Sequence, residues 1–162
     1  MNAPGVPLML RFEELAASIQ SAPGADLAVN LALPIGADAL ARELLRHEPP
    51  RPLEIEQAIE RVEDAVMPAR ARLPEAFRLQ TDDALLRALF ADGAPGASAA
   101  EEAPRWLGTE AVEQRFNRLV ARAEGRPAAQ DPHLPVDGPS AARLLILREM
   151  LHHWGLDGIA LA

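Results

Sequence analysis

Residues 140–155, SAARLLILREMLHHWG, constrain the fold more than any other stretch of the chain. As a helix, this segment would present apolar side chains on most of its circumference, and Ser140 is a suitable residue for its start. A helix that is apolar nearly all round has to be surrounded by other elements. We therefore expect it to be the central, most buried helix of the core.

Four other segments carry the apolar spacing of amphipathic helices. They are residues 36–47, 53–67, 81–93 and 109–125. Thr81 and Thr109 precede acidic first turns and are the predicted N-caps. Gly93 and Gly125 are the predicted stops.

Two segments raise the question of β structure. Residues 27–33, LAVNLAL, alternate in polarity and are bounded by proline and glycine, which predicts a strand. Its partner could be residues 6–12, the FRLQ segment near residue 79, or another subunit. Residues 7–20 fit both periods; we prefer a helix from about residue 11 and leave the preceding residues open.

These patterns predict a mainly α fold of about five to six helices with one small β element. The alternative is an α+β fold with a small sheet. The length of 162 residues suits a single domain spanning residues 1–162. Residues 92–104 are expected to form a flexible internal linker, and residues 125–139 a long loop, because both are rich in proline and glycine.

Composition excludes several function classes. The chain has no cysteine and no lysine, which removes thiolate metal sites, Schiff-base chemistry and the lysine-containing phosphate loop. The net charge of −8 disfavours nucleic acid and anionic membranes as partners. The N-terminal residues lack the pattern of a signal peptide, and the arginine-only basic residues suggest a GC-rich genome. We expect a protein of the bacterial cytoplasm that needs no cofactor.

His47 and Glu48 are the candidate catalytic residues, as an acid–base pair beside the proline-rich segment Pro49–Pro52. The structural interpretation is a joint between two helices. In it, His47 meets the negative end of one helix dipole and Glu54 the positive end of the next. We favour the joint, because every unusual residue then has a structural role.

Charged residues cover one face of each of two predicted helices. Carboxylates mark one of them: Glu56, Glu60, Glu63 and Asp64. Arginines mark the other, here called the arginine face: Arg115, Arg118, Arg122 and Arg126. The arginine face is the candidate binding surface, for phosphates or for the carboxylate face. We rank simple solvation of both faces first, contact between them second and phosphate binding third.

Glu149 and His152 form Glu-x-x-His, half of a motif that di-iron helical bundles use in duplicate, and are the candidate metal ligands. We favour a simple pair of Glu149 with His153, which lies one turn further on.

The sequence thus predicts a non-catalytic, self-associating interaction or assembly protein: a homo-oligomer that could also bind a protein partner. The charged faces, the strand without an assigned partner and the absence of a catalytic motif support this. The alternative is an enzyme or enzyme subunit with an acid–base or metal site near His47 or His152.

Overall fold

A computed structural model describes residues 5–91, 105–126, 134 and 136–162 of the chain. In these residues six strands form one mixed sheet, accompanied by five helices. The strands are β1 (Val6–Phe12), β2 (Ala17–Ser21), β3 (Asn30–Leu33), β4 (Phe77–Thr81), β5 (Arg105–Gly108) and β6 (Gly158–Leu161). The helices are α1 (Ala37–Glu43), α2 (Pro52–Ala69), α3 (Ala84–Leu89), α4 (Thr109–Ala123) and α5 (Gly138–Trp154).

The sheet has the order β3-β2-β1-β4-β6-β5. Strands β1, β4 and β6 are parallel to one another, whereas β2, β3 and β5 are antiparallel to their neighbours. One face of the sheet is buried, because the alternate residues that face the helices are apolar. The buried face carries Leu8, Leu10, Ile19, Leu31, Leu33, Leu79, Leu107, Ile159 and Leu161.

Helix α5 is the centre of the helical layer, as its sequence predicts. It contacts each of the other four helices and is buried on nearly every side. Its start lies near the end of β1, where the Arg143 guanidinium stacks over the Phe12 ring. Its end lies near the start of β4, where Trp154 and Phe77 make an edge-to-face ring contact. The helix therefore runs along the adjacent strands β1 and β4, antiparallel to both.

The predicted mainly α fold with one small β element is wrong, and a small α+β sheet understates what is present. The chain has an α/β fold built on a six-stranded mixed sheet. The predicted helix from residue 11 is also wrong, because β1 continues to Phe12 and β2 follows after a tight turn. Alternation of Leu8 and Leu10 into the core decides between the two periods.

The strand predicted at residues 27–33 exists but is shorter. Strand β3 covers Asn30–Leu33 and pairs antiparallel with β2, in the segment for which we predicted a helix. Because β3 pairs with β2 of the same chain, the strand no longer gives a reason to expect self-association. Self-association stays an untested prediction. The sheet likewise overturns the description of the chain as an α-helical interaction protein.

Several helix termini differ from the sequence prediction. The N-cap of α4 is Gly108 rather than Thr109, and α3 ends at Leu89, before the predicted stop at Gly93. The N-cap of α3 is Asp83, whose carboxylate accepts a hydrogen bond from the Leu86 N–H, while Thr81 is the last residue of β4. Helix α5 begins at Gly138 with Asp137 as N-cap and ends at Trp154, followed by the C-cap Gly155, whose φ of 66° is left-handed.

Some predictions fall outside the described residues. The linker at 92–104 lies wholly outside them, as does most of the loop at 125–139. Within the described ranges, no helix combines the length and apolar composition that crossing a bilayer requires.

Candidate functional site at the carboxyl edge of the sheet

The parallel strands β1, β4 and β6 end at one edge of the sheet, here called the carboxyl edge. In open α/β sheets, ligands bind outside the carboxyl ends of the strands, where the strand order diverges. That divergence falls between β1 and β4, since β2 and β3 extend the sheet on one side and β6 and β5 on the other. The residues that follow these two strands are therefore the first place to look for a site.

Both strands lead directly into acidic residues. Asp82 and Asp83 follow β4, and Glu13 and Glu14 follow β1 in the turn to β2. The turn packs closely on the start of α1: a Cβ on Gly36 would lie 2.1 Å from the Glu14 carbonyl oxygen, so only glycine fits there. The acidic turn, the start of α1 and the end of β4 thus form one continuous surface.

Arg143 is the fixed charge beneath this surface. It is only 8% exposed, and its Nε donates to Asp83 Oδ2 at 3.1 Å. Its Nη1 donates to Asp38 Oδ1 and to the Pro139 carbonyl oxygen, each at 3.1 Å. The guanidinium therefore joins α5 to the starts of α1 and α3. Both carboxylate oxygens of Asp83 accept hydrogen bonds, Oδ2 from Arg143 and Oδ1 from the Leu86 N–H at the start of α3.

The remaining charges at the carboxyl edge are open to solvent. Glu13 and Glu14 are exposed, and Asp82 lies 4.0 Å from the half-exposed Arg11. Asp38 is half exposed beside a groove of about 450 Å³ between α1 and the start of α5. Five carboxylates lie here against three arginines, the third being Arg87, whose Nη2 donates to the Asp82 carbonyl oxygen, and negative charge is in excess. Oxygen ligands of this kind suit a hard divalent cation such as Mg²⁺.

The structure places His47 and Glu48 in the joint between α1 and α2. His47 Nδ1 lies 2.7 Å from Glu54 Oε1, and Glu54 also accepts from the backbone N–H groups of Arg46 and Arg51. Burial alone would raise the pKa of Glu54, but the Arg51 and His47 hydrogen bonds hold that pKa below its ordinary value. His47 therefore contacts Glu54, one of the acidic residues starting α2, rather than its neighbour Glu48.

The two charged faces lie on α2 and α4. On the carboxylate face, Glu63 contacts His153 of α5. On the arginine face, the Arg115 guanidinium stacks over the Phe90 ring, and Arg126 pairs with Glu124. Contact between the two faces and binding by the arginine face both stay predictions.

The candidate metal ligands are placed differently from each other. Glu149 is buried, whereas His152 is exposed and makes an edge-to-face ring contact with His153. His153 Nε2 lies 3.3 Å from Glu149 Oε2, the pairing we favoured from the spacing. Arg148 donates to Glu149 and to Glu113. Burial opposes its charged form, but Glu149 and then Glu113 raise the pKa of Arg148 above its ordinary value.

Sequence reasoning missed Arg143, Asp38 and Asp83 as a group. One signal was present: Arg143 is a charge near the start of an otherwise apolar segment, SAARLLIL. A buried arginine needs carboxylate or carbonyl partners. Nothing in the sequence showed that these partners would come from residues 60 and 105 positions away.

Comparison with known proteins gives similarity of fold. No protein-family model matches the chain, and no curated protein sequence matches it. Among solved structures, the PPX-GPPA enzyme of Aquifex aeolicus is similar with a TM-score of 0.73 and 14% identity, over 99% of this chain and 54% of that one. An exopolyphosphatase-like protein matches with a TM-score of 0.69 and 14% identity, over 98% and 56%.

An exopolyphosphatase from Cytophaga hutchinsonii is similar with a TM-score of 0.71 and 12% identity, over 99% of this chain and 55% of that one. The chain thus spans about half the length of these structures. At such identities, the likeness shows that the α/β fold of this chain is the fold of one half of Ppx/GppA-type structures.

Proposed function

We propose that the chain is an enzyme or enzyme subunit that binds a phosphate chain through a divalent cation at the carboxyl edge, for hydrolysis of a phosphoanhydride bond. The fold similarity to structures described as exopolyphosphatases supports this over a purely structural role. The observation that carries it is the concentration of exposed carboxylates where β1 and β4 end.

Charge explains why a cation is needed. A polyphosphate and the carboxylates of the carboxyl edge would repel each other, and the net charge of −8 adds to this repulsion. Exposed carboxylates of the carboxyl edge would hold a divalent ion, which would offset their charge and supply Lewis-acid activation of a bound phosphate.

The residues divide into two roles. Asp82, Glu13 and Glu14 are exposed and available as cation ligands or as a general base for water. Arg11, half exposed beside Asp82, is placed to contact a phosphate oxygen. Asp83 and Arg143 are positioning residues, because their polar atoms already hold the starts of α3 and α1.

Calorimetric titration with tripolyphosphate, with and without Mg²⁺, tests the proposal. We expect binding that requires Mg²⁺ and that weakens more than about tenfold in Asp82→Asn, since it removes a proposed ligand of the ion. Asp64→Asn is the matched control, because Asp64 is an exposed aspartate of α2. Phosphate release measured on the same samples shows whether binding leads to hydrolysis.

Binding that ignores Mg²⁺, or that falls equally in both variants, would contradict a cation site at the carboxyl edge. Binding lost on mutation of Arg118 instead would support the arginine face, our earlier candidate surface for phosphates.

A further inference from the structure

A second group of side chains lies away from the carboxyl edge, on the surface between α2 and α5. It comprises Glu63 of α2 with Glu149 and His153 of α5, and we call it the Glu–His cluster. One ligand atom from each residue lies within 4.8 Å of the others. Arg143 and His153 are ten residues apart on α5, or about 15 Å along its axis, so the two sites are separate.

The distances in the Glu–His cluster fit a metal site as well as a hydrogen bond to one of the two carboxylates. His153 Nε2 lies 3.2 Å from Glu63 Oε1 and 3.3 Å from Glu149 Oε2. A ring nitrogen carries at most one proton, so its N–H can point directly at only one of the two oxygens. In a tetrahedral zinc site with bonds of about 2.0–2.1 Å, neighbouring ligand atoms are about 3.3–3.4 Å apart.

The net charge of the Glu–His cluster also favours binding of a cation. Glu149 is 1% exposed, so its negative charge needs close compensation. Arg148 supplies one positive charge but shares it with Glu113. With a neutral imidazole, three carboxylates face one guanidinium, an excess of two negative charges that one divalent ion would balance.

The surroundings hold the ligand atoms in place. Arg148 binds the Glu149 oxygen that faces away from His153, and its guanidinium stacks over the Phe116 ring. Glu113 in turn fixes Arg148 from α4. Outer contacts of this kind orient metal ligands and are typical of built sites. Glu63 and His153 are partly exposed, which gives an ion access from solvent.

We propose that Glu63, Glu149 and His153 bind one zinc ion or a similar transition-metal dication, which ties α2 to the centre of the fold. An imidazole with two carboxylates suits zinc, whereas Mg²⁺ prefers oxygen ligands throughout. The proposal does not depend on phosphate binding at the carboxyl edge.

The test uses the full chain, stripped of metal by chelation and then titrated with zinc. We expect roughly one zinc per chain by calorimetry and a rise in melting temperature of about 5–10 °C when free zinc is about 100 times the dissociation constant. His153→Ala should weaken binding by more than about 100-fold, since it removes a ligand rather than an outer contact. His152→Ala is the matched control, because it removes an exposed histidine whose ring contacts that of His153 but which is not a proposed ligand.

A second pair of variants guards against loss of folding. Glu63→Gln changes a partly exposed ligand and should reduce zinc binding, while Glu60→Gln, one turn earlier on α2 and exposed, should leave it unchanged. Failure of zinc to bind the wild type would overturn the proposal, leaving a histidine–carboxylate ion pair. Equal binding by His153→Ala and His152→Ala would overturn it too.

Discussion

Helix α5 carries two ionic groups that are built around opposite charges. Near its start, the buried guanidinium of Arg143 is surrounded by Asp83, Asp38 and a backbone carbonyl group. Near its end, the buried carboxylate of Glu149 lies between Arg148 and His153. The first group consists of one arginine, two aspartates and a carbonyl group, whereas the second includes an imidazole, a group that can bind either a proton or a metal ion. The ion pairs at the start of α5 therefore join it to α1 and α3, whereas the group at its end is suited to binding a ligand.

Removing Arg143 should have the largest effect. Arg143→Met leaves Asp83 mostly buried without its cation and should lower the free energy of unfolding by about 3–5 kcal/mol, as breaking a buried ion pair does. Urea denaturation measures this loss in the free energy of unfolding. Arg11→Met, at an exposed pair, should cost less than about 1 kcal/mol. Equal losses in the two variants would show that the buried ion pairs of Arg143 stabilise the fold no more than an exposed pair does.

Neutralising Glu149 should have the next largest effect. In the absence of metal, Glu149→Gln weakens the charged hydrogen bond from Arg148 and should lower the free energy of unfolding by about 1.5–3 kcal/mol. The loss is smaller than for Arg143, because Arg148 keeps Glu113 as a partner. An unchanged unfolding midpoint in urea would mean that the negative charge of Glu149 is not required.

Glu54 lies outside α5, and its contribution to the free energy of unfolding should depend on pH. Because its folded pKa lies below the ordinary value of 4.5, the carboxylate stabilises the fold above that pH, and the contribution is lost as pH falls through the folded pKa. Glu54→Gln should cost about 1 kcal/mol at pH 7, comparable to losing a helix cap. The difference from wild type should shrink below pH 4.5, as thermal melts at several pH values would show. A stability difference that does not change with pH would show that the Glu54 charge is not its cause. Glu56→Gln, at an exposed residue of the same helix, is the control.

Asp38 should show the smallest effect. Its side chain is 45% exposed, so solvent screens its contact with Arg143. Asp38→Asn should lower the free energy of unfolding by about 0.2–1 kcal/mol in the same urea experiment. A loss as large as that of Arg143→Met would mean that Asp38, rather than Asp83, neutralises the guanidinium.

The long helices could be predicted from the sequence, because fifteen or more residues give several repeats of the apolar period. Helices α2, α4 and α5 lie within about two residues of their predicted bounds. Most strands could not; the prediction at residues 27–33, which contains β3, is the exception. Strands β5 and β6 have four residues each, too few to show alternation. Residues 8, 12, 15 and 19 mimicked a helical face across the turn between β1 and β2, yet Leu15 is exposed.

The candidate sites were predictable only where their residues lie on one helix. The pair of Glu149 and His153 followed from their spacing of four. Glu63 could not be added, because nothing in the sequence shows which face of α2 meets α5. The carboxyl edge was missed for the same reason: Asp82 and Asp83 were recognised as a helix start, but their position beside β1 depends on the parallel pairing of β1 and β4.

Backbone amide NMR titration of one labelled sample would test both sites at once. With Mg²⁺ and tripolyphosphate, we predict shifts concentrated in residues 11–14, 36–38 and 82–86; with zinc, we predict shifts around Glu63 and in residues 149–154. Two separate sets of shifts would support a phosphate-binding site at the carboxyl edge, near the start of α5, and a metal site near its end. Phosphate-induced shifts confined to residues 115–126, or scattered without a cluster, would contradict a ligand site at the carboxyl edge.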